Sequence, residues 1–243
     1  EAAKSLGANR AFLVENRLDP DQMQAATGGR GVDVAFEMAG EQEAVEQEAG
    51  AEAAPPLAVP DTVEAALDLD LPGAATVADL GTGCGTVALA LAHERPAWQL
   101  TATDRSTEAL AIARANAERL ELGNVEFRDG DWFMALDQGT AFDLIVSNPP
   151  YVADDDAHLA RGDLRYEPRD ALAAGPDGLD ALRQIVAGAA RHLVAGGWLW
   201  LEHGATQGPA VRGLLAAHGF GAVATRPDLA GLERCSGGRL PPA

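Results

Sequence analysis

The chain is predicted to fold as an α/β protein on a doubly wound, mostly parallel sheet, with a small α/β appendage at its N-terminus. Three observations predict this. From residue 75 onward, short apolar runs of strand character alternate with helical stretches, the pattern of parallel strands joined by crossover helices. A glycine bend, Gly81-Thr82-Gly83-Cys84-Gly85, links the first of these strands to its helix. The fourth strand, Phe142-Asp143-Leu144-Ile145-Val146, runs into Ser147-Asn148-Pro149-Pro150-Tyr151. Its two prolines cannot continue a sheet ladder, so the strand must stop at Asn148.

The elements follow in order. Residues 10–14 and 32–36 have strand composition, and residues 19–26 suit a short helix with Asp19 as cap and Pro20 at its first position. Residues 41–54 are rich in Glu, Ala and Gln, as a solvated helix or a linker would be. Pro55, Pro56 and Pro60 mark a boundary. Asp61-Thr62 is placed to cap a helix over 63–69.

The regular part then begins with a buried strand over 75–80 and a helix over 86–95. A strand over 99–103 ends on Asp104, and a helix over 108–122 has an apolar face at Leu110, Ala113, Ala117 and Leu120. Residues 125–127 make a third strand leading to Gly130-Asp131-Trp132-Phe133. After the Asn-Pro-Pro corner come a polar loop, a helix over 179–193, a fifth strand over 197–202 and a helix over 211–218. Strands are expected at 222–225 and 234–240.

Composition narrows the function. At 243 residues with 47% hydrophobic side chains, the chain can bury a sizeable core. No apolar run approaches the roughly 18 residues that span a bilayer, and the first residues lack a basic-then-apolar signal pattern. Cys84 and Cys235 are too far apart in sequence to suggest a disulfide or metal framework. These features fit a cytoplasmic protein with no membrane partner and no metal. A net charge of −19, with Lys4 the only lysine, opposes binding to a phosphate backbone. A local basic patch from Arg161, Arg165 and Arg169 would be the exception.

Two motifs point to chemistry. The glycine bend lets the backbone approach a ligand closely, and the helix beyond it offers free N–H groups. Asp104 follows at the end of the next strand, where a carboxylate can accept both hydroxyls of a ribose. Asp104 could instead cap the following helix, a task Ser106 or Thr107 could also perform. Trp132 is placed either to flank an adenine or to pack in the core, and Asp131 to reach the adenine amino group or only solvent. At the other motif, Asn148 and the carbonyl of Pro149 can hold a planar amide by its hydrogens, with the Tyr151 ring laid over it. The plainer reading is an Asn-Pro-Pro turn that closes a strand. The tight Gly-x-Gly-x-Gly spacing differs from the Gly-x-Gly-x-x-Gly expected for NAD.

With Asp79 two residues before it, the bend resembles the first motif of S-adenosylmethionine-dependent methyltransferases. Residues from about 75 to the C-terminus resemble the release factor glutamine methyltransferase (PrmC/HemK) family. The matching stretches are Asp79 to Gly85, Asp104, Asp131-Trp132-Phe133, Val146 to Tyr151, Gly162-Asp163-Leu164-Arg165-Tyr166-Glu167-Pro168 and Leu201-Glu202-His203-Gly204. The resemblance implies a Rossmann-like class I methyltransferase fold. It implies S-adenosyl-L-methionine as cofactor, with S-adenosyl-L-homocysteine as product. It implies cofactor contacts from Gly81, Thr82, Gly83, Cys84, Gly85, Asp104, Trp132 and Asn148. It also implies that Asn148, Pro149, Pro150 and Tyr151 hold the substrate glutamine of a peptide chain release factor, with Asn148, Pro149 and Tyr151 serving catalysis.

An Asn-Pro-Pro-Tyr motif is shared with enzymes that methylate amino groups of adenine or guanine in nucleic acid. A cofactor-binding module without activity is the third reading. No general base is evident. His203 is a candidate by residue type, but a lone His at a strand end is more often structural.

Residues 1–48 resemble a fragment from the cofactor domain of zinc-dependent alcohol and polyol dehydrogenases, on Ala3-Lys4-Ser5-Leu6-Gly7-Ala8 and Thr27-Gly28-Gly29-Arg30-Gly31-Val32-Asp33-Val34. No NAD fingerprint or zinc-ligand set accompanies them, so an oxidoreductase rests on this fragment alone. The expected organisation is a non-catalytic fragment over 1–50, a linker and helix over 51–74, and the methyltransferase domain over 75–243. The release factor family carries a helical N-terminal domain, in whose place this fragment stands. The family's Ile-Pro-Arg-Pro-x-Thr-Glu stretch is shortened here to Leu57-Ala58-Val59-Pro60-Asp61-Thr62-Val63-Glu64, without the arginine.

Overall fold

A computed structural model of the chain describes residues 60–156, 172–228 and 230–242. The elements expected within residues 1–54, and the arginines at 161, 165 and 169, lie outside the described residues. From Pro60 onward the chain forms one compact unit.

Seven strands make one sheet: β1 (Thr76–Leu80), β2 (Gln99–Asp104), β3 (Val125–Asp129), β4 (Phe142–Ser147), β5 (Leu193–Glu202), β6 (Gly221–Pro227) and β7 (Glu233–Arg239). Their order across the sheet is β3-β2-β1-β4-β5-β7-β6. The first five run parallel, and β7 lies antiparallel to both β5 and β6. The helices are α1 (Asp61–Leu67), α2 (Thr86–Glu94), α3 (Thr107–Arg119), α4 (Asp180–Ala189) and α5 (Gly208–Ala217). Among them, α3 packs on β2 and β3, α4 on β5, and α5 on β6 and β7.

The core explains why the apolar runs become central strands. Val77, Ala78 and Leu80 of β1 and Leu144, Ile145 and Val146 of β4 are fully buried. A parallel strand covered on both faces needs near-continuous apolar side chains. Leu80, Ile145, Leu199 and Leu201 from the strands pack with Leu182 and Ile185 of α4 and Val211 and Leu215 of α5.

β1 lies between β2 and β4. Successive connections therefore leave β1 in opposite directions, which opens a crevice at the carboxyl ends of β1 and β4. The glycine bend follows β1 and the Asn-Pro-Pro corner follows β4, so both motifs line this one crevice.

Several boundaries differ from expectation. Helix α1 starts at Asp61 rather than Val63, with Pro60 at its N-cap and no side-chain cap bond. The Pro60 carbonyl accepts from Val63 N at 2.8 Å and opens the first turn, which places Asp61 inside the helix. Helix α3 ends at Arg119, because Glu121 turns to φ 56°. Helix α4 stops at Ala189, and β5 begins at Leu193 because the His192 carbonyl accepts from Phe142 N and Leu193 pairs with Phe142. The last strand doubles back antiparallel, a long-range choice with no local signature. Among the described residues, no helix is long and apolar enough to cross a membrane.

Candidate functional site

The glycine bend is built on three positive φ angles, 71° at Gly81, 57° at Gly83 and 95° at Gly85. Each residue also meets a different demand. A Cβ at Gly81 would lie 2.8 Å from Cζ3 of Trp132, and one at Gly85 would lie 2.9 Å from Leu89 Cδ1. A Cβ at Gly83 would meet nothing within 4 Å. Gly81 therefore admits the Trp132 ring, Gly85 admits helix packing, and Gly83 faces open space.

Backbone and buried carboxylates hold the bend. Gly81 N and Thr82 N both donate to the Thr103 carbonyl, at 2.8 and 2.9 Å. Beneath the bend, Asp79 is 1% exposed, and its Oδ2 accepts from the Thr82 hydroxyl at 2.6 Å and from Ala88 N at 3.1 Å. Burial pushes the Asp79 carboxyl up to about 6; its two hydrogen bonds pull the other way, and the Asp104 charge adds a little upward.

Asp104 ends β2 and bridges two backbone groups: Oδ2 accepts from Gly83 N and Oδ1 from Ser106 N, both at 2.8 Å. The cap of α3 is Ser106, whose hydroxyl accepts from Ala109 N. Asp104 is therefore spared that role and stands half-buried at the rim of the bend. Trp132 opens a short 3₁₀ turn, Trp132–Ala135, at φ 46°, an uncommon value for a residue with a side chain. Its ring lies against Gly81 and partly packs on the core, so the two sequence readings of Trp132 are compatible. Asp131 beside it is exposed. Cys84 is half-buried, 3.2 Å from the Thr86 hydroxyl.

At the corner, strand β4 ends at Ser147 as the prolines require. The Ser147 hydroxyl donates to the Leu80 carbonyl at 2.5 Å, joining the last residue of β4 to the last of β1. Pro149 is buried, while Asn148, Pro150 and Tyr151 are half-buried. Gln207 braces the corner from below: its Nε2 donates to the Tyr151 carbonyl at 2.9 Å, and its Oε1 accepts from Gly204 N at 2.8 Å. A Cβ at Gly178 would run into that same Tyr151 carbonyl, so only glycine lets the loop approach. Past the corner, Val152 forms a parallel bridge with Ala173.

Sequence reasoning missed the partners of Asn148 and Tyr151. Both side chains lie near enough to the carboxyl of Glu202, the last residue of β5, to favour its charged form. Partial burial pushes the Glu202 carboxyl up to about 7, and the nearby Asp61 adds to this; Arg234, Tyr151 and Asn148 oppose it. The Tyr151 hydroxyl is likewise driven above its usual range, first by burial and then by the Glu202 charge. The Tyr151 ring packs partly on the core, so it supports the corner from one side. The stretch Leu201-Glu202-His203-Gly204 is visible in the sequence, but only the β4–β5 register places Glu202 beside Asn148. His203 points elsewhere: fully buried, its Nε2 is 2.7 Å from the Ser236 hydroxyl and its Nδ1 2.9 Å from the Gly204 carbonyl. Burial lowers its basicity.

Comparison with known proteins follows from this geometry. The methyltransferase small domain family matches residues 64–163. The release factor glutamine methyltransferase of Xylella fastidiosa is 57% identical over 180 residues, covering 74% of this chain and 65% of that protein. Its namesake from Pseudomonas aeruginosa is 55% identical over 183 residues, covering 74% and 66%. That of Bordetella pertussis is 51% identical over 185 residues, covering 74% and 68%. The chain thus spans about two thirds of the length of these relatives. Among solved structures, a methyltransferase from Pyrococcus furiosus superposes with a TM-score of 0.56 at 21% identity, over 79% of this chain and 88% of that one. A ribosomal protein L11 methylase from Lactobacillus delbrueckii subsp. bulgaricus gives 0.53 at 22% identity, over 74% and 75%. These two structures share the fold.

Proposed function

The chain belongs to the release factor glutamine methyltransferase family, and from that premise we propose that it moves the methyl group of S-adenosyl-L-methionine to the side-chain amide nitrogen of the glutamine in the Gly-Gly-Gln motif of a peptide chain release factor. The observation that carries this reading is the meeting of the glycine bend and the Asn-Pro-Pro-Tyr corner at one crevice, tied through Ser147 and Leu80.

The residues at the bend fit the cofactor. Gly83 faces open space, where a ligand can lie against the backbone. The N-cap of helix α2 is Gly85, which has no side chain to cap it; Asp79 takes the Ala88 N–H, and the N–H groups ahead of it are left for a carboxylate. Asp104 stands at the rim with a carboxylate suited to ribose hydroxyls, and Trp132 supplies an apolar wall beside Gly81. Thr82, Cys84 and Gly85 complete the turn of backbone that the cofactor would follow. When bound, the cofactor supplies an electrophilic methyl group on a sulfonium.

The rest falls to the corner. A carboxamide nitrogen is a poor nucleophile because its lone pair is delocalised. Asn148 Oδ1 and the Pro149 carbonyl accept its two hydrogens and aim it toward the bend. Pro149 has no N–H to compete, and its burial keeps the carbonyl in one direction. Both acceptors also stabilise positive charge that gathers on nitrogen during attack. Positioning and fixed dipoles of this kind each contribute several kcal/mol. Pro150 and Tyr151 shape the wall of the amide slot, and Gln207 keeps that wall in place.

The −19 charge argues against a nucleic-acid acceptor. Incubation with methyl-labelled cofactor, a release factor, and separately RNA and DNA, tests the reading. Label is expected in the release factor alone; label in nucleic acid overturns it.

A further inference from the structure

The register that pairs Ser147 with Leu201 brings the next residues, Asn148 and Glu202, side by side at the carboxyl ends of β4 and β5. Asn148 is the residue whose amide must face the right way. Its Oδ1 can accept a ligand N–H, whereas its Nδ2 cannot. Nothing in asparagine itself selects between the two orientations, so a neighbour must. The register sets Glu202 beside Asn148, close enough for the Asn148 amide to favour the charged form of its carboxyl. The Tyr151 hydroxyl also faces this carboxyl, and the Tyr151 carbonyl is fixed by Gln207. Glu202 is thereby held from several sides.

We propose that Glu202 is the positioning residue of the corner: its carboxylate accepts from Asn148 Nδ2 and so turns Oδ1 toward the ligand amide. The proposal rests on the functional reading above only for what the ligand is. A carboxylate has no hydrogen to donate, so in the ionised form the orientation is unambiguous. A protonated Glu202 can donate to Asn148 Oδ1 instead, which reverses the amide and presents two donors to a ligand that also brings donors. The groups that face Glu202 are Tyr151 from the corner, Asp61 from α1, and Arg234 and Cys235 from β7. Arg234 stays cationic. Burial pushes both the Tyr151 hydroxyl and the Cys235 thiol up, so neither ionises in the range where Glu202 does. Glu202, with its carboxyl near 7, thus governs the amide across neutral pH.

The test reads the amide directly. The side-chain N–H₂ signals of Asn148, identified by their loss in Asn148→Asp, are followed by NMR from about pH 5 to about pH 9, which brackets a carboxyl near neutrality. In the wild type they should shift with a midpoint near 7, and in Glu202→Gln they should stay flat. Signals that ignore pH in the wild type, or shift alike in both proteins, overturn the proposal. Should the Gln variant fail to fold, Glu202→Asp is expected to keep a titration of reduced size, and its absence counts against the proposal equally. In methyl transfer, Glu202→Gln should lower kcat about tenfold, remove its rise through neutral pH and leave cofactor affinity unchanged. Equal kcat at every pH overturns the proposal. A wild type that shows the coupled titration yet methylates no release factor supports the Glu202–Asn148 pair and overturns the functional reading instead.

Discussion

The Ser147 hydroxyl donates to the Leu80 carbonyl over 2.5 Å, and both groups are buried. One hydrogen bond thus fixes where the Asn-Pro-Pro corner stands relative to the glycine bend. Ser147→Ala leaves that link unmade and should cost about 1 kcal/mol of stability, read by urea unfolding. Methyl transfer should fall more than cofactor affinity, because the bend survives while its alignment with the corner loosens. Equal losses in both would argue that Ser147 serves folding alone.

The glycines of the bend separate packing from binding. Gly81→Ala places a Cβ against the Trp132 ring at a left-handed φ, and should destabilise the chain by about 2–3 kcal/mol. Gly83→Ala meets no protein atom, so only backbone strain of about 1 kcal/mol is expected. Its methyl group stands where the cofactor would lie, and calorimetry should show binding reduced out of proportion to stability. Similar effects from both substitutions would contradict the assignment.

Asp104 reaches both Gly83 N and Ser106 N, yet the helix cap is Ser106. Asp104→Ala should therefore leave α3 intact by circular dichroism. The affinity for S-adenosyl-L-homocysteine should weaken about a hundredfold, the loss of two charge-assisted hydrogen bonds. Unchanged affinity would remove Asp104 from the cofactor site.

Much of this was legible in the chain. Two prolines after an apolar run stop β4 at Ser147 for a local reason, and three closely spaced glycines mark the bend for another. The sequence leaves Asp104, Ser106 and Thr107 as candidate caps of α3, and the structure selects Ser106. The antiparallel return of β7 could not be read, because a strand's direction is chosen by partners distant in sequence. Glu202 beside Asn148 was hidden for the same cause. The role of Tyr151 shifted too: its ring packs partly on the core and its hydroxyl feels the Glu202 charge, and neither has a local signal.

Asp79 carries a sign that stability measurements can read. Its folded carboxyl lies near 6 against 3.8 for an unperturbed aspartate. The unfolded chain therefore releases the proton first, and stability falls as pH rises from about 4 to about 6, then levels. Asp79→Asn lacks this dependence. Measured against wild type by isothermal unfolding, the variant should gain up to about 3 kcal/mol across that window. The difference cancels His203, whose lowered basicity acts in the opposite sense. Parallel curves would contradict a buried, proton-holding Asp79.

The central claim is that Asn148 presents one amide to the methyl donor at the bend. Mass spectrometry of a release factor incubated with S-adenosyl-L-methionine and either the wild type or Asn148→Ala tests it most directly. One added methyl on the Gly-Gly-Gln glutamine with the wild type, and none with the variant at an unchanged thermal midpoint, is the predicted result. Methylation by the variant at the wild-type rate, or on any residue other than that glutamine, would contradict it.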